Sequence, residues 1–189
     1  MAENTRPRAR IVILNGVGSA GKSSIAKALQ AIAADFYLHV AMDAFVEMLP
    51  ASSFDTADGL TFRQLDDNGK LSIQIETGAL AARTFRGMRH AIAAMADQGN
   101  NMIIDDVMLA GDMAEYETLL ARHDLCRVGV FASLATLEAR EQARGDRMIG
   151  LARWQYDRVH AGNSYDLEVN TDKLSPNDCA LQIKRHFGL

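Results

Sequence analysis

The sequence has little cysteine and little proline: two cysteines and three prolines occur among its 189 residues. Two cysteines are too few for a disulfide framework and favour a reducing compartment, so a cytoplasmic protein is expected. Apolar runs near the ~20 residues needed to span a bilayer are also missing, and the apolar stretch near the N-terminus is too short for a signal peptide. We therefore expect no membrane partner.

Positive charge is not in excess either, because 20 lysines and arginines stand against 24 aspartates and glutamates, for a net charge of −4. Proteins dedicated to nucleic acid usually carry a basic face, so we expect no nucleic-acid partner. The length suits one domain and is short for two. Residues 1–189 are therefore predicted to form a single domain.

Short β-rich runs alternate with longer helical ones, which is typical of an α/β fold with a parallel sheet between layers of helices. The first run, residues 11–14, is continuously apolar, as expected of a strand buried on both faces. Residues 51–75 break the alternation and predict an insertion on the acceptor side, containing a hairpin. Strands are predicted near residues 11–14, 37–41, 102–104, 127–131 and 166–170, and helices from 22 onward, over 78–97, 113–122 and 134–144, and from 176 onward.

A phosphate-loop motif, G-x-x-x-x-G-K-[ST], lies between the first predicted strand and the first predicted helix. The glycines allow successive backbone N–H groups to face a polyphosphate, at a helix N-terminus that favours anions. Lys22 is expected to contact the β- and γ-phosphates and Ser23 to bind Mg²⁺. The motif predicts a bound nucleoside triphosphate with Mg²⁺, contacted by Gly16, Val17, Gly18, Ser19, Ala20, Gly21, Lys22, Ser23 and the adjacent Ser24.

Three aspartates follow predicted strands, at the sheet edge where ligands lie in open α/β folds. Asp43 could accept the proton of an attacking hydroxyl, and could also cap the helical turn that follows it. Asp105 and Asp106 end the third strand of the sheet, in the position of a carboxylate that orders Mg²⁺. Both are candidate metal residues, although we expect one of them to have only a role in the turn.

Arginines recur near residues 140–158, which we predict to form a lid. If this segment is helical, Arg140, Arg144 and Arg147 fall on one face at spacings of four and three. Guanidinium groups there could stabilise a phosphoryl group during transfer, or could pair with acidic neighbours on a surface helix. Arg86, Arg89 and their neighbours also make helix 78–97 basic, and a solvated helix face is the expectation for them.

Several sequence segments, in the same order along the chain, resemble the chloramphenicol phosphotransferase family of P-loop kinases. The resemblance implies a kinase-type P-loop NTPase fold, with a central parallel five-stranded sheet between two helical layers, a helical lid and a small insertion. It is weakest across residues 51–100 and rests on residues 13–16 leading into 19–23, 42–43, 48–50, 103–107, 143–147 and 165–169.

The same resemblance implies transfer of the γ-phosphate of ATP, with Mg²⁺, to a hydroxyl of chloramphenicol. It implies Asp43 as general base, Arg144 and Arg147 as phosphate contacts from the lid, and the adenine near Thr171. Arg140, on the same predicted lid, is also expected to border the nucleotide. Lys22 completes the predicted catalytic set.

Two alternatives remain open at this point. The acceptor could be another small hydroxylated molecule, such as a nucleotide sugar or a sugar acid. The chain could also be a regulatory protein that binds ATP without transferring its phosphate. A GTPase is not favoured, because residues 170–173 read Asn-Thr-Asp-Lys and do not form a guanine-reading tetrad.

Overall fold

The computed structural model describes residues 7–109, 111–145 and 148–189. Arg147, one of the predicted catalytic residues, lies outside these ranges. Strands and helices follow one another as β1 (Arg10–Asn15), α1 (Lys22–Ile32), β2 (Leu38–Ala41), α2 (Met42–Val46), a 3₁₀ turn (Ala51–Ser53), β3 (Leu60–Asp67), β4 (Lys70–Thr77), α3 (Ala79–Asp97), β5 (Met102–Asp106), α4 (Asp112–Leu119), β6 (Asp124–Phe131), α5 (Leu134–Arg144), α6 (Leu151–Tyr156), β7 (Leu167–Asn170) and α7 (Pro176–Phe187).

Within the described residues, a parallel five-stranded sheet has the order β2-β5-β1-β6-β7. The central strand β1 buries both faces, because Val12 and Leu14 pack in one core with α1 and α7. Ile11 and Ile13 pack in a second core with α3 and α4. This two-sided burial explains the unbroken apolar run, and the predicted α/β fold is confirmed.

The parallel register brings distant residues to one edge of the sheet. Asn15, the last residue of β1, lies opposite Asp106 on β5, and Ala41 at the end of β2 lies opposite Asp105. The phosphate loop, Asp43 and both β5 aspartates therefore meet at the carboxyl ends of the strands, where open α/β sheets bind ligands.

The predicted hairpin is present and is longer than the sequence indicated. Strands β3 and β4 pair antiparallel over eight residues each, from Leu60 opposite Thr77 to Asp67 opposite Lys70. The two turn residues have positive φ, 54° at Asn68 and 78° at Gly69. Asn-Gly favours such two-residue turns, so the turn sets the register of the hairpin.

The helix predicted over residues 134–144 is present as α5, which carries Arg140 and Arg144 of the three predicted lid arginines. Helix α5 ends at Arg144, because Gly145 adopts a left-handed conformation with φ of 68° and such a residue commonly terminates a helix. A separate helix, α6, begins after Gly150, which is also left-handed. Arg140 and Arg144 share α5, and Arg147 lies outside the described residues.

Two further expectations need correction. Helix α2 begins at Met42, so Asp43 lies in its first turn and does not cap it. Arg89 is buried and not solvated, with its guanidinium 2.6 Å from Glu115 and 3.4 Å from Asp112. Across the described ranges, none of the helices combines the length and apolar character that crossing a bilayer requires.

Candidate active site

The phosphate loop connects the buried strand β1 to helix α1. Lys22 is nearly buried, and its ammonium donates hydrogen bonds to the carbonyls of Gly16 at 2.9 Å and Val17 at 3.1 Å. Gly21 takes a φ of 92° at the helix start, a conformation that a side chain would strain. The loop thus holds its lysine beside its own backbone, at the helix N-terminus where anions bind.

The nine loop residues named from the sequence contribute in different ways, and Gly16 supplies the carbonyl that accepts from Lys22. Val17 and Ala20 bury their side chains in the core and offer only backbone groups to a ligand. The side chains or backbone of six others border a cavity of about 80 Å³, the phosphate cavity: Gly18, Ser19, Gly21, Lys22, Ser23 and Ser24. Asp43, Asp105 and Arg144 complete its polar lining.

Ser23 and Asp105 form the oxygen-rich side of the phosphate cavity. The Ser23 hydroxyl donates to Oδ2 of Asp105 at 2.5 Å, and the Lys22 ammonium is 3.8 Å from Oδ1. Burial acts to raise the pKa of Asp105, but His39, Lys22 and Ser23 together outweigh it and hold the pKa below its usual value. Asp105 is therefore a carboxylate, and hydroxyl and carboxylate oxygens are ligands that suit Mg²⁺.

Asp106 faces away from these groups. Its Oδ2 accepts a hydrogen bond from the Tyr116 hydroxyl at 3.0 Å, and its Oδ1 accepts one from the Val107 amide at 2.7 Å. Burial raises its pKa to about 6. Asp106 lines a different cavity from Ser23, so of the two predicted metal residues only Asp105 lies beside the Ser23 hydroxyl.

A second cavity, the lid-side cavity, has a volume of about 420 Å³ and lies between the phosphate loop, α5 and the start of α7. Arg140 and Thr171 meet in its wall, where the Arg140 guanidinium donates to the hydroxyl and to the carbonyl of Thr171, both at 2.9 Å. The Thr171 hydroxyl donates in turn to the Ala20 carbonyl at 3.0 Å. Arg144 borders both this cavity and the phosphate cavity.

A third cavity, the apolar cavity, also has a volume of about 420 Å³. Its walls are mainly apolar and come from the hairpin, α3 and α6, including Leu60, Phe62, Ile75, Phe85, Leu151 and Trp154. It shares Gly18, Met42, Asp43 and Val107 with the phosphate cavity. Asp43 is the carboxylate common to both, so one side chain borders the phosphate-binding and the apolar spaces.

Several residues that line the apolar cavity were not predicted as site residues. Gln155 on α6, Arg86 on α3 and the hairpin aromatic Phe62 belong to elements far apart in the chain. Their shared cavity depends on long-range packing, which leaves no local sequence signal. The alternation of apolar residues along β3 and β4 could at most have shown that one face of the hairpin is covered.

Comparison with solved structures agrees with the fold. The APS kinase of Mycobacterium tuberculosis in complex with AMPPNP and APS superposes with a TM-score of 0.67 at 19% identity, covering 97% of this chain and 99% of that chain. A gluconokinase from Sinorhizobium meliloti 1021 gives 0.58 at 15% identity, covering 97% and 94%. These similarities show a shared kinase-type P-loop architecture.

Comparison of sequences identifies the family. Relatives from two strains of Mycobacterium tuberculosis, both named "Putative O-phosphotransferase", are 30% identical over 189 residues, spanning 96% of this chain and 83% of theirs. The model of the family described as "Chloramphenicol phosphotransferase-like protein" matches residues 9–188. The chain therefore belongs to the chloramphenicol phosphotransferase-like family, whose members are P-loop kinases.

Proposed function

We propose that this kinase transfers the γ-phosphate of ATP to a hydroxyl of a small, largely apolar molecule, and that chloramphenicol is the first acceptor to test. The observation that carries the proposal is the junction of the apolar cavity with the phosphate cavity at Asp43. A phosphoryl donor in one cavity and an alcohol in the other would meet beside this carboxylate.

The phosphate cavity and the lid-side cavity offer binding groups for the phosphates and the base of ATP. The backbone amides of the phosphate loop and the Lys22 ammonium suit the β- and γ-phosphates. The lid-side cavity, bordered by Arg140 and Thr171, is large enough for the base. Arg144 lies where the two cavities meet, so its guanidinium can approach the phosphate that is transferred.

In this transfer the protein itself takes part in few bond changes. Asp43 accepts the proton of the acceptor hydroxyl as its oxygen bonds to the γ-phosphorus, and the bond from that phosphorus to the β,γ-bridging oxygen breaks to release ADP. Lys22 and Arg144 stabilise the charge that spreads over the phosphoryl oxygens. Positioning and electrostatics therefore carry most of the rate.

Magnesium fits the donor set at the oxygen-rich side. Ser23 and Asp105 would hold the ion, because their oxygens lie 2.5 Å apart and Asp105 is a carboxylate. When bound, Mg²⁺ neutralises phosphate charge and orients the polyphosphate.

One observation favours a second class of acceptor. Arg86 borders the apolar cavity, and its guanidinium has no carboxylate partner within residues 7–109, 111–145 and 148–189. An acceptor with an anionic group, such as a sugar acid, could pair with it. The apolar walls favour the first class, because a sugar would leave many hydroxyl groups without hydrogen-bond partners there.

The test is phosphate transfer from labelled ATP to chloramphenicol, gluconate and a nucleotide sugar in parallel. The proposal expects transfer to chloramphenicol, lost in Lys22→Ala and kept in Lys27→Ala, an exposed lysine one to two turns further along α1. Transfer only to gluconate would select the second class. Binding of Mg²⁺-ATP with no transfer to any acceptor would overturn the proposal and favour a regulatory protein.

A further inference from the structure

Gln155 joins the lid to the phosphate loop. It lies on α6 with 7% of its surface exposed, and its Oε1 accepts a hydrogen bond from the backbone N–H of Gly18 at 2.8 Å. A Cβ at Gly18 would come within 3.1 Å of the same oxygen. A side chain from one helix therefore touches the loop that binds phosphate.

This hydrogen bond determines which way the carboxamide faces. A backbone N–H can only donate, so the oxygen of Gln155 must point to Gly18 and the Nε2 group must point away. Within residues 7–109, 111–145 and 148–189, that Nε2 donates no hydrogen bond. Gln155 lines the apolar cavity together with Asp43, and it does not line the phosphate cavity.

The helix that carries Gln155 is held at its N-terminus. The buried carboxylate of Glu141 accepts hydrogen bonds from the amides of Gly150 at 2.7 Å and Ala152 at 2.8 Å. These bonds connect the start of α6 to α5 and limit the positions that Gln155 can adopt. A side chain supported in this way can place a ligand accurately.

We infer that Gln155 is an acceptor-binding residue: its Nε2 donates a hydrogen bond to an oxygen of the acceptor while its Oε1 holds the Gly18 amide. The inference rests on the proposed function. It assigns to the acceptor an oxygen besides the hydroxyl that is phosphorylated. One carboxamide then sets the acceptor against the phosphate loop, opposite the carboxylate of Asp43.

The test compares two near-isosteric variants that lack the N–H donor. Gln155→Glu keeps an oxygen for the Gly18 amide, whereas Gln155→Met loses both hydrogen bonds and adds no charge. Both should raise the KM for the acceptor about tenfold, the loss expected for one hydrogen bond. The matched control is Gln142→Glu, which adds the same charge at an exposed position of α5 and should leave that KM unchanged.

Two quantities are measured for each variant. The first is the KM for whichever of chloramphenicol, gluconate and the nucleotide sugar the wild-type enzyme phosphorylates. The second is the affinity for AMPPNP in the absence of acceptor. A purely structural role predicts a different pattern: Gln155→Glu near wild type, and Gln155→Met impaired in AMPPNP affinity alone. That pattern in an active wild-type enzyme overturns this inference and leaves the proposed function in place. A wild-type protein that phosphorylates no acceptor overturns both.

Discussion

At the scale of single residues, adjacent aspartates differ because successive side chains of a strand face opposite sides. Asp105 lies beside Ser23 and Lys22, while Asp106 accepts a hydrogen bond from the buried Tyr116 hydroxyl and borders the apolar cavity. The sequence predicts that this pair ends a strand near the ligand. The register of β5 against β1 determines which of the two aspartates is directed toward the phosphate loop. No local sequence pattern encodes that register.

Asp106 should make stability depend on pH. Its pKa is about 6 in the folded protein and 3.8 in its ordinary state, so the folded state holds the proton more tightly. Its contribution to stability is therefore full below about pH 4 and falls as the pH rises to about 6.

The variant Asp106→Asn stays neutral, and its oxygen can still accept from the Val107 amide while the Tyr116 hydroxyl reverses to accept from Nδ2. Its unfolding free energy, measured with urea and taken relative to wild type, should rise across that window by about 3 kcal/mol. Asp35→Asn, at an exposed position, should show no such rise. A difference for Asp106→Asn that is constant with pH would contradict the prediction.

Arg144 should matter to the rate at least as much as Asp43. Arginines that contact a phosphoryl group in transfer contribute about 10³–10⁵ in rate, whereas a general base contributes about 10²–10⁴. We expect Arg144→Ala to lower kcat by no less than Asp43→Asn, with Arg83→Ala, an exposed arginine of α3, near wild type. Steady-state kinetics of the variants give the kcat values. A small loss of kcat in Arg144→Ala together with a large loss in Asp43→Asn would contradict the prediction.

At the scale of elements, the hairpin is attached to α6 and, through Arg153, to α5. The Ile73 amide of β4 donates to the Gly150 carbonyl at 2.9 Å. Arg153 of α6 binds Asp67 at the hairpin tip at 3.0 Å and also pairs with Glu138 of α5. These contacts predict that the hairpin, α5 and α6 move together when a ligand binds.

Removing Arg153 should loosen the hairpin while the sheet stays intact. In Arg153→Ala we expect faster trypsin cleavage after Lys70, beside the hairpin turn, because local opening exposes a chain to proteases. Mass spectrometry of the peptides released over time measures the rate of this cleavage. The control Arg185→Ala, at an exposed position of α7, should be cleaved at the wild-type rate, and equal rates for both variants would show that the contact does not restrain the hairpin.

The elements themselves were largely predictable, and their contacts were not. The apolar run of β1 and the glycines around Lys22 carry local signals for a strand and a phosphate loop. The end of α5 at Arg144 agrees with the helix predicted over residues 134–144, and the left-handed Gly145 that follows is a local signal for it. The apolar cavity could not be predicted, since it requires the hairpin, α3 and α6 to pack together.

At the scale of the whole molecule, the net charge of −4 conceals a local concentration of cations. Lys22, Arg140 and Arg144 border the phosphate and lid-side cavities, where a polyphosphate would bring several negative charges. An anionic ligand that binds only the folded protein must stabilise it.

Mg²⁺-AMPPNP should therefore raise the melting temperature of the protein. At about 100 times its Kd a ligand contributes about 2.7 kcal/mol. Differential scanning fluorimetry should show the rise for wild type and Lys27→Ala and its loss for Lys22→Ala, at an unchanged melting temperature without ligand. A rise of equal size in Lys22→Ala would show that this lysine does not contact the phosphates.

The central position of β1 has a consequence for local motion. This strand is hydrogen-bonded to β5 on one side and to β6 on the other, and the side chains of residues 11–14 are fully buried. Its amide protons should exchange with deuterium only when the whole molecule unfolds, whereas those of the loop that follows can exchange through small fluctuations. The phosphate loop can therefore change shape around a nucleotide without the change spreading into the sheet.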